Sequence, residues 1–176
     1  MKKRSRLTLL EGSFETGFTA ILQISFERNG TKIETQVSGR LPPAPEVWLT
    51  WQCWQQAYRQ LATYNYWRMK AKVGQITNIS YARLGEELSD RLNHWLNQGT
   101  EEWQKVRDCL QRNLDRNDEI EILIQTGDRK LKQLPWHLWD FFDHYPYAEI
   151  SLSTCEYQKV KPLPSRKTKG KVKILA

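Results

Sequence analysis

Leu134-Pro135-Trp136-His137-Leu138-Trp139-Asp140-Phe141-Phe142-Asp143-His144-Tyr145-Pro146-Tyr147-Ala148-Glu149-Ile150-Ser151-Leu152 is the stretch whose reading decides the fold. It holds four of the chain's thirteen Trp and Phe residues in nineteen positions, more than its share by length. Pro135 suits the first turn of a helix, because its ring presets φ and its missing N–H had no partner there anyway. Trp136 and Trp139 lie three apart, and Leu138 and Phe142 four apart, so the helix is apolar on several sides. Such a helix is buried between layers rather than laid on a surface. Pro146 ends it, and Ala148 to Leu152 reads as a short strand. Upstream, Glu119 to Gln125 (Glu-Ile-Glu-Ile-Leu-Ile-Gln) is the best strand in the chain. The predicted unit is strand, turn, buried short helix, strand.

Working outward, residues 7–38 read as antiparallel β. Leu22, Ile24 and Phe26 share one face of Thr19 to Phe26 by the two-residue period. Asn29-Gly30 is a turn signal, since both residues tolerate positive φ. Ile33, Thr35 and Val37 then alternate with polar neighbours, and Leu7 to Leu10 adds an edge strand. Gly39 to Ala44 is a connector, after which Pro45 and Glu46 open a helix. Its apolar stripe is Val47, Trp51, Trp54, Tyr58 and Leu61, widened by Trp48, Tyr64, Tyr66 and Trp67. Only Arg59, Arg68 and Lys70 accompany these aromatics, so core packing suits them better than base stacking. A second helix, with Ser80 as its cap, carries Leu84, Leu88, Leu92, Trp95 and Leu96. A third, capped by Thr100, carries Trp103, Val106, Leu110 and Leu114.

Several of these residues carry a resemblance. A strand, then the pattern LxxLPWxLWDxFxxYPxAExxLS, then a linker and a strand opening Lys171-Val172-Lys173-Ile174-Leu175, is similar to the region leading into the core of bacterial CHAT-domain proteins. Those are caspase-like proteins of the clan that contains separase. Gly39 to Glu46 (Gly-Arg-Leu-Pro-Pro-Ala-Pro-Glu), the Trp/Tyr-rich helix after it and Trp95-Leu96 also resemble that region in one bacterial subgroup. The likeness covers most of residues 7–176, with Leu134-Pro135-Trp136 and Gly39 to Glu46 its distinctive pieces. It implies the start of a caspase-like α/β sheet. In the family the catalytic His and Cys follow strands beyond the one that would begin at Lys171. The implied function is a non-catalytic N-terminal scaffold or interaction module, truncated before those strands. Its partner would be a protein, or the downstream CHAT segment, and it would need no cofactor.

The expected fold class is α+β. An N-terminal β-hairpin or meander precedes three helices and then the strand–short helix–strand unit. The expected organisation is a basic disordered start (1–6), a β and helical module (7–118), the first unit of a CHAT-like domain (119–158), a basic flexible linker (159–170), and the beginning of a further strand (171–176). The net charge of +7 resides in the two ends: residues 7–158 hold 16 Lys and Arg against 20 Asp and Glu. A basic end can bind nucleic acid or anionic surfaces, which gives the rival function of a stand-alone binding protein. Pro162, Pro164, Ser165 and Gly170 instead mark the C-terminal one as a solvated linker.

A mean hydropathy of −0.70 argues against a membrane span. The basic start resembles the opening of a signal peptide, but the apolar run after it, Leu7 to Leu10, is broken by Thr8 and ended by Glu11. Cys53, Cys109 and Cys155 are odd in number, widely spaced and form no Cys-x-x-Cys. That suits a reducing, cytoplasmic location and argues against a zinc site or a disulfide framework.

Catalytic candidates are few. His137 followed by Cys155 has the chain order of a caspase-like pair, but the two are only eighteen residues apart, whereas in the resembled family each catalytic residue follows its own strand. His137, Asp140 or Phe141, and His144 would share a helical face, but a fourth metal ligand is missing. His94 points off the Leu92–Leu96 stripe, to the surface. The glycines form no phosphate loop, and no paired acids stand where acid–base catalysis needs them. The expected assignment is therefore no catalytic, cofactor or metal residue, and a structural motif of Leu134, Pro135, Trp136, Leu138, Trp139 and Phe142.

Overall fold

A computed structural model describes residues 1–67 and 78–154 of the chain. Strands β1 (Lys2–Ser13), β2 (Gly17–Arg28) and β3 (Thr31–Leu41) form an antiparallel meander. Helices α1 (Pro45–Trp67), α2 (Asn78–Asn97) and α3 (Glu101–Asn113) follow. Strand β4 (Glu119–Thr126) then leads through two short 3-10 turns and α4 (Phe141–His144) to β5 (Ala148–Ser153). The result is an α+β fold built on one five-stranded mixed sheet of order β3-β2-β1-β4-β5.

The β2–β3 turn is the one the sequence predicts. Asn29 and Gly30 both take positive φ, 53° and 75°, and Arg28 pairs with Thr31 across a two-residue hairpin loop. Gly39, predicted as the start of a connector, is instead a β3 residue pressed against α3. A Cβ there would lie 2.3 Å from the Glu102 carbonyl oxygen, so only glycine lets the helix sit this close.

The basic start corrects a prediction. Residues 1–6 are not a disordered leader, and Leu7 to Leu10 is not an edge. Lys2 to Leu9 runs as the central strand, antiparallel to β2 and parallel to β4. Its alternation is hidden by charge: Lys3 and Ser5 face inward with Leu7 and Leu9, while Lys2 and Arg4 face out. Lys3 can be buried because its ammonium lies 2.7 Å from the Asp118 carboxylate and also donates to the Asn113 carbonyl. The Met1 amine meets the other oxygen of Asp118 at 3.2 Å. Since β1 pairs with β4 in register, the expected boundary at 118/119 does not separate two cores. Leu7, Leu22, Trp95, Trp103, Ile122 and Trp136 belong to one buried cluster.

The helices cover one face of the sheet. Val47 and Trp51 of α1 and Leu88, Leu92, Trp95 and Leu96 of α2 share one buried cluster with Leu7, Leu9, Ala20 and Leu22 of the sheet. From Val47 to Tyr58 the α1 stripe loses burial, and Tyr58 is 53 % exposed, stacked on Trp54 and tilted against Tyr81. Helix α2 begins at Asn78, ahead of the predicted cap at Ser80. At α3 the predicted cap holds: the Thr100 hydroxyl accepts the Trp103 N–H.

The opposite sheet face is polar and cross-linked between strands. Arg4 meets Glu121 at 2.9 Å, Gln23 donates to Gln36 at 2.7 Å, and Thr8 reaches Gln125 at 3.3 Å. Among the described residues no helix is long and apolar enough to cross a membrane.

Candidate functional site: the crossover from β4 to β5

Two parallel neighbours need a crossover connection, and residues 127–147 supply it between β4 and β5. The predicted single helix from Pro135 is not formed. Leu131–Gln133 and Trp136–Leu138 are separate 3-10 turns, Trp139 has extended backbone (φ −67°, ψ 123°), and only Phe141–His144 is α-helical. Pro135 sits before the second turn at φ −80°, ψ 70°, outside the helical region. A chain of short turns lets aromatic groups from successive positions all point inward, which a straight helix forbids.

Five of the six motif residues, all but Pro135, are placed as packing groups. Leu134, Trp136 and Trp139 are buried, and Leu138 and Phe142 are half-buried against the same core. The Trp136 indole N–H donates to the Leu131 carbonyl at 2.8 Å, so its polar edge is satisfied inside the fold. Trp139, Phe141, Phe142 and Tyr145 form a linked aromatic set, with Phe141 and Tyr145 stacked at 4.3 Å between centroids.

What fixes this segment is a pair of asparagines the sequence reading passed over. Asn93 Nδ2 donates to the Leu138 carbonyl at 2.9 Å, and its Oδ1 accepts the Asp140 N–H at 2.8 Å. One turn further along α2, Asn97 Nδ2 donates to the Asp140 carboxylate at 2.6 Å. The signal was available: Asn93 and Asn97 stand four apart, each one residue past a core leucine, Leu92 or Leu96.

Beside this contact lies an open cleft of about 270 Å³, lined by Asn97, Arg107, Gln111, Asp140, His144 and Tyr145 among others. Arg107 donates to the Asn97 carbonyl, and His144 Nδ1 is 2.9 Å from the Asp140 carbonyl oxygen. Burial, with the nearby Asp115 charge, raises the Tyr145 phenol above its ordinary pKa. Asn97 and Asp140 are joined through their side chains, while Arg107 and His144 are tied to backbone, and among the described residues these bonds form no nucleophile–base relay.

The histidines and cysteines are scattered. His137 is exposed on the turn before Trp139, and the break there takes it off the helix that carries His144. The predicted shared face of His137, Asp140 and His144 is therefore not made. Among the described residues no group of three His, Cys, Asp or Glu could hold a metal ion. Cys53 is exposed, and Cys109 is buried, its thiol pKa raised mainly by that burial. Cys155, the linker 159–170 and the strand expected from Lys171 lie outside the described residues. Models of known protein families and curated proteins were both compared with the chain, and neither comparison found a match.

Proposed function

We propose that this chain is a non-catalytic N-terminal scaffold of a CHAT-type caspase-like protein, cytoplasmic and independent of any cofactor, whose partner is a protein segment carrying the catalytic strands. One observation carries the reading. The residues that bear the likeness are employed in packing: Leu134, Trp136 and Trp139 are buried, and the backbone of Leu138 and Asp140 is gripped by Asn93. They join β4 to β5, the strand at the margin of the sheet, where further strands of an α/β domain would be added. The rival, a stand-alone binder of nucleic acid or anionic surfaces through basic ends, loses support at its N-terminal half. Lys3 is spent on Asp118 and Arg4 is paired with Glu121. The test is to supply a CHAT catalytic core to this chain, fused or in trans. The core is expected to co-purify with the chain and to gain solubility from it, and a Trp139→Ala chain is expected to lose that effect. A core that behaves identically with and without the chain would refute the proposal.

A further inference from the structure

The two margins of the sheet differ. Strand β3 carries Lys32, Glu34 and Arg40 along its length, with Lys32 and Glu34 paired at 2.6 Å, the kind of charge that discourages strand addition. Strand β5 carries one charge, Glu149, and neither proline nor a bulge. Among the described residues no strand pairs with its outer side. In a parallel ladder alternate residues of a strand bond to a given neighbour. Ile120 donates to the Tyr147 carbonyl at 3.1 Å and pairs with Ala148, so the odd-numbered residues of β5 bond to β4. The N–H groups of Ala148, Ile150 and Leu152 therefore point to the free margin. Ala148 is already satisfied, by the Tyr145 carbonyl at 2.9 Å. Ile150 and Leu152 are left, and no described strand lies beyond them.

The side chains of this margin ask for a particular neighbour. On the helix-covered face Ile150 is half-buried and Leu152 is 48 % exposed, beside Ile122 and Ile124. On the polar face stand Glu149 and, one strand in, Glu121. A strand alternating aliphatic and basic residues would cover the first pair and neutralise the second.

We propose that the free margin of β5 takes Lys171-Val172-Lys173-Ile174-Leu175 of this same chain as a sixth, parallel strand. Val172 and Ile174 would extend the aliphatic row of Ile150 and Leu152, and Lys171 and Lys173 would face Glu149. A slip of one residue would reverse both matches, so the pairing is fixed in steps of two. The connection is long enough. Residues 154–170 separate the two segments. Returning along a strand the length of β5 needs roughly 20 Å, and a parallel crossover needs about a dozen residues. This pairing stands independently of the family reading above.

Amide hydrogen exchange on the full chain tests it, with Ile122 and Ile124 of β4 as a control for the intact sheet. The Ile150 and Leu152 amides are expected to exchange slowly in the native chain. They should exchange faster by roughly tenfold or more in Val172→Asp/Ile174→Asp, with β4 unchanged. Lys171→Glu/Lys173→Glu should shift them in the same direction by a smaller factor. Fast exchange of both amides in the native chain would overturn the proposal. So would protection that survives both double substitutions, since another element would then be covering the margin.

Discussion

Asn93 on α2 holds Asp140 by its main chain, accepting the Asp140 N–H at 2.8 Å while donating to the Leu138 carbonyl at 2.9 Å. One side chain thus acts as a substitute strand for a segment that has no regular structure. It sets the exit of the crossover against a helix that is itself anchored on the sheet by Leu92 and Trp95.

Replacing Asn93 by Ala removes both bonds and leaves two backbone groups without partners in a partly buried place. The expected cost is about 1–3 kcal/mol, read as a lower urea midpoint at unchanged slope. Asn93→Asp should be at least as damaging, because it loses the donor and sets a second charge near Asp140. A midpoint equal to that of the native protein in both variants would show that the segment is held by its aromatic groups alone.

Trp136 and Trp139 make the complementary case. Each is buried, and truncation to Ala is expected to cost about 3–5 kcal/mol. Trp136→Ala also leaves the Leu131 carbonyl without its donor and should be the worse of the two. Trp136→Phe, which keeps the ring but not the N–H, should fall between. Equal melting temperatures for native and Trp139→Ala proteins would place that ring at the surface.

The paired roles of Asn93 and Trp139 explain how far the sequence could be read. Period-two alternation located β2, β3, β4 and β5, and cap chemistry located α1 and α3, because those signals are local. The Asn29-Gly30 turn was legible for the same reason. The start of β1 was not. Lys2, Lys3, Arg4 and Arg6 look like a solvated leader until Asp118, more than a hundred residues away, supplies the counter-charge for Lys3. Nor could spacing show that Pro135 to Tyr145 breaks into turns, since the break serves aromatic groups that all turn one way. The asparagines were missed because their spacing beside the core leucines marks a shared helix face but does not say which distant backbone that face grips.

The Lys3–Asp118 contact makes a pH-dependent claim. Burial opposes ionisation of Asp118, but the Lys3 ammonium, the Met1 amine and the Asp115 N–H outweigh it and hold its pKa below the ordinary value. A depressed folded pKa means stability fully present above the unfolded value of about 3.9 and lost as pH falls through the folded value. The native protein should therefore lose stability below about pH 4 more steeply than Asp118→Asn. Lys3→Met, which leaves the buried carboxylate with only the more exposed Met1 amine as its cation, should cost about 3 kcal/mol near neutrality. Parallel acid profiles for native and Asp118→Asn proteins would contradict this assignment.

Thiol reactivity should follow burial. Cys53 is exposed and Cys109 is buried with a raised pKa, so a maleimide should modify Cys53 rapidly and Cys109 only on unfolding. Peptide mapping of the adducts gives the order directly. Equal rates at the two positions in the native protein would mean that α3 opens far more readily than its packing on β3 indicates.

The reading of this chain as a non-catalytic module is tested most directly by a peptide-based thiol probe, applied to the reduced chain alone. A cysteine peptidase needs a thiolate, an adjacent imidazole and oxyanion donors held on a rigid sheet. The expected result is slow, unselective labelling led by Cys53 and unaffected by Cys155→Ala. Rapid labelling at Cys155, abolished by Cys155→Ala and by His137→Ala in a protein that remains folded, would contradict it.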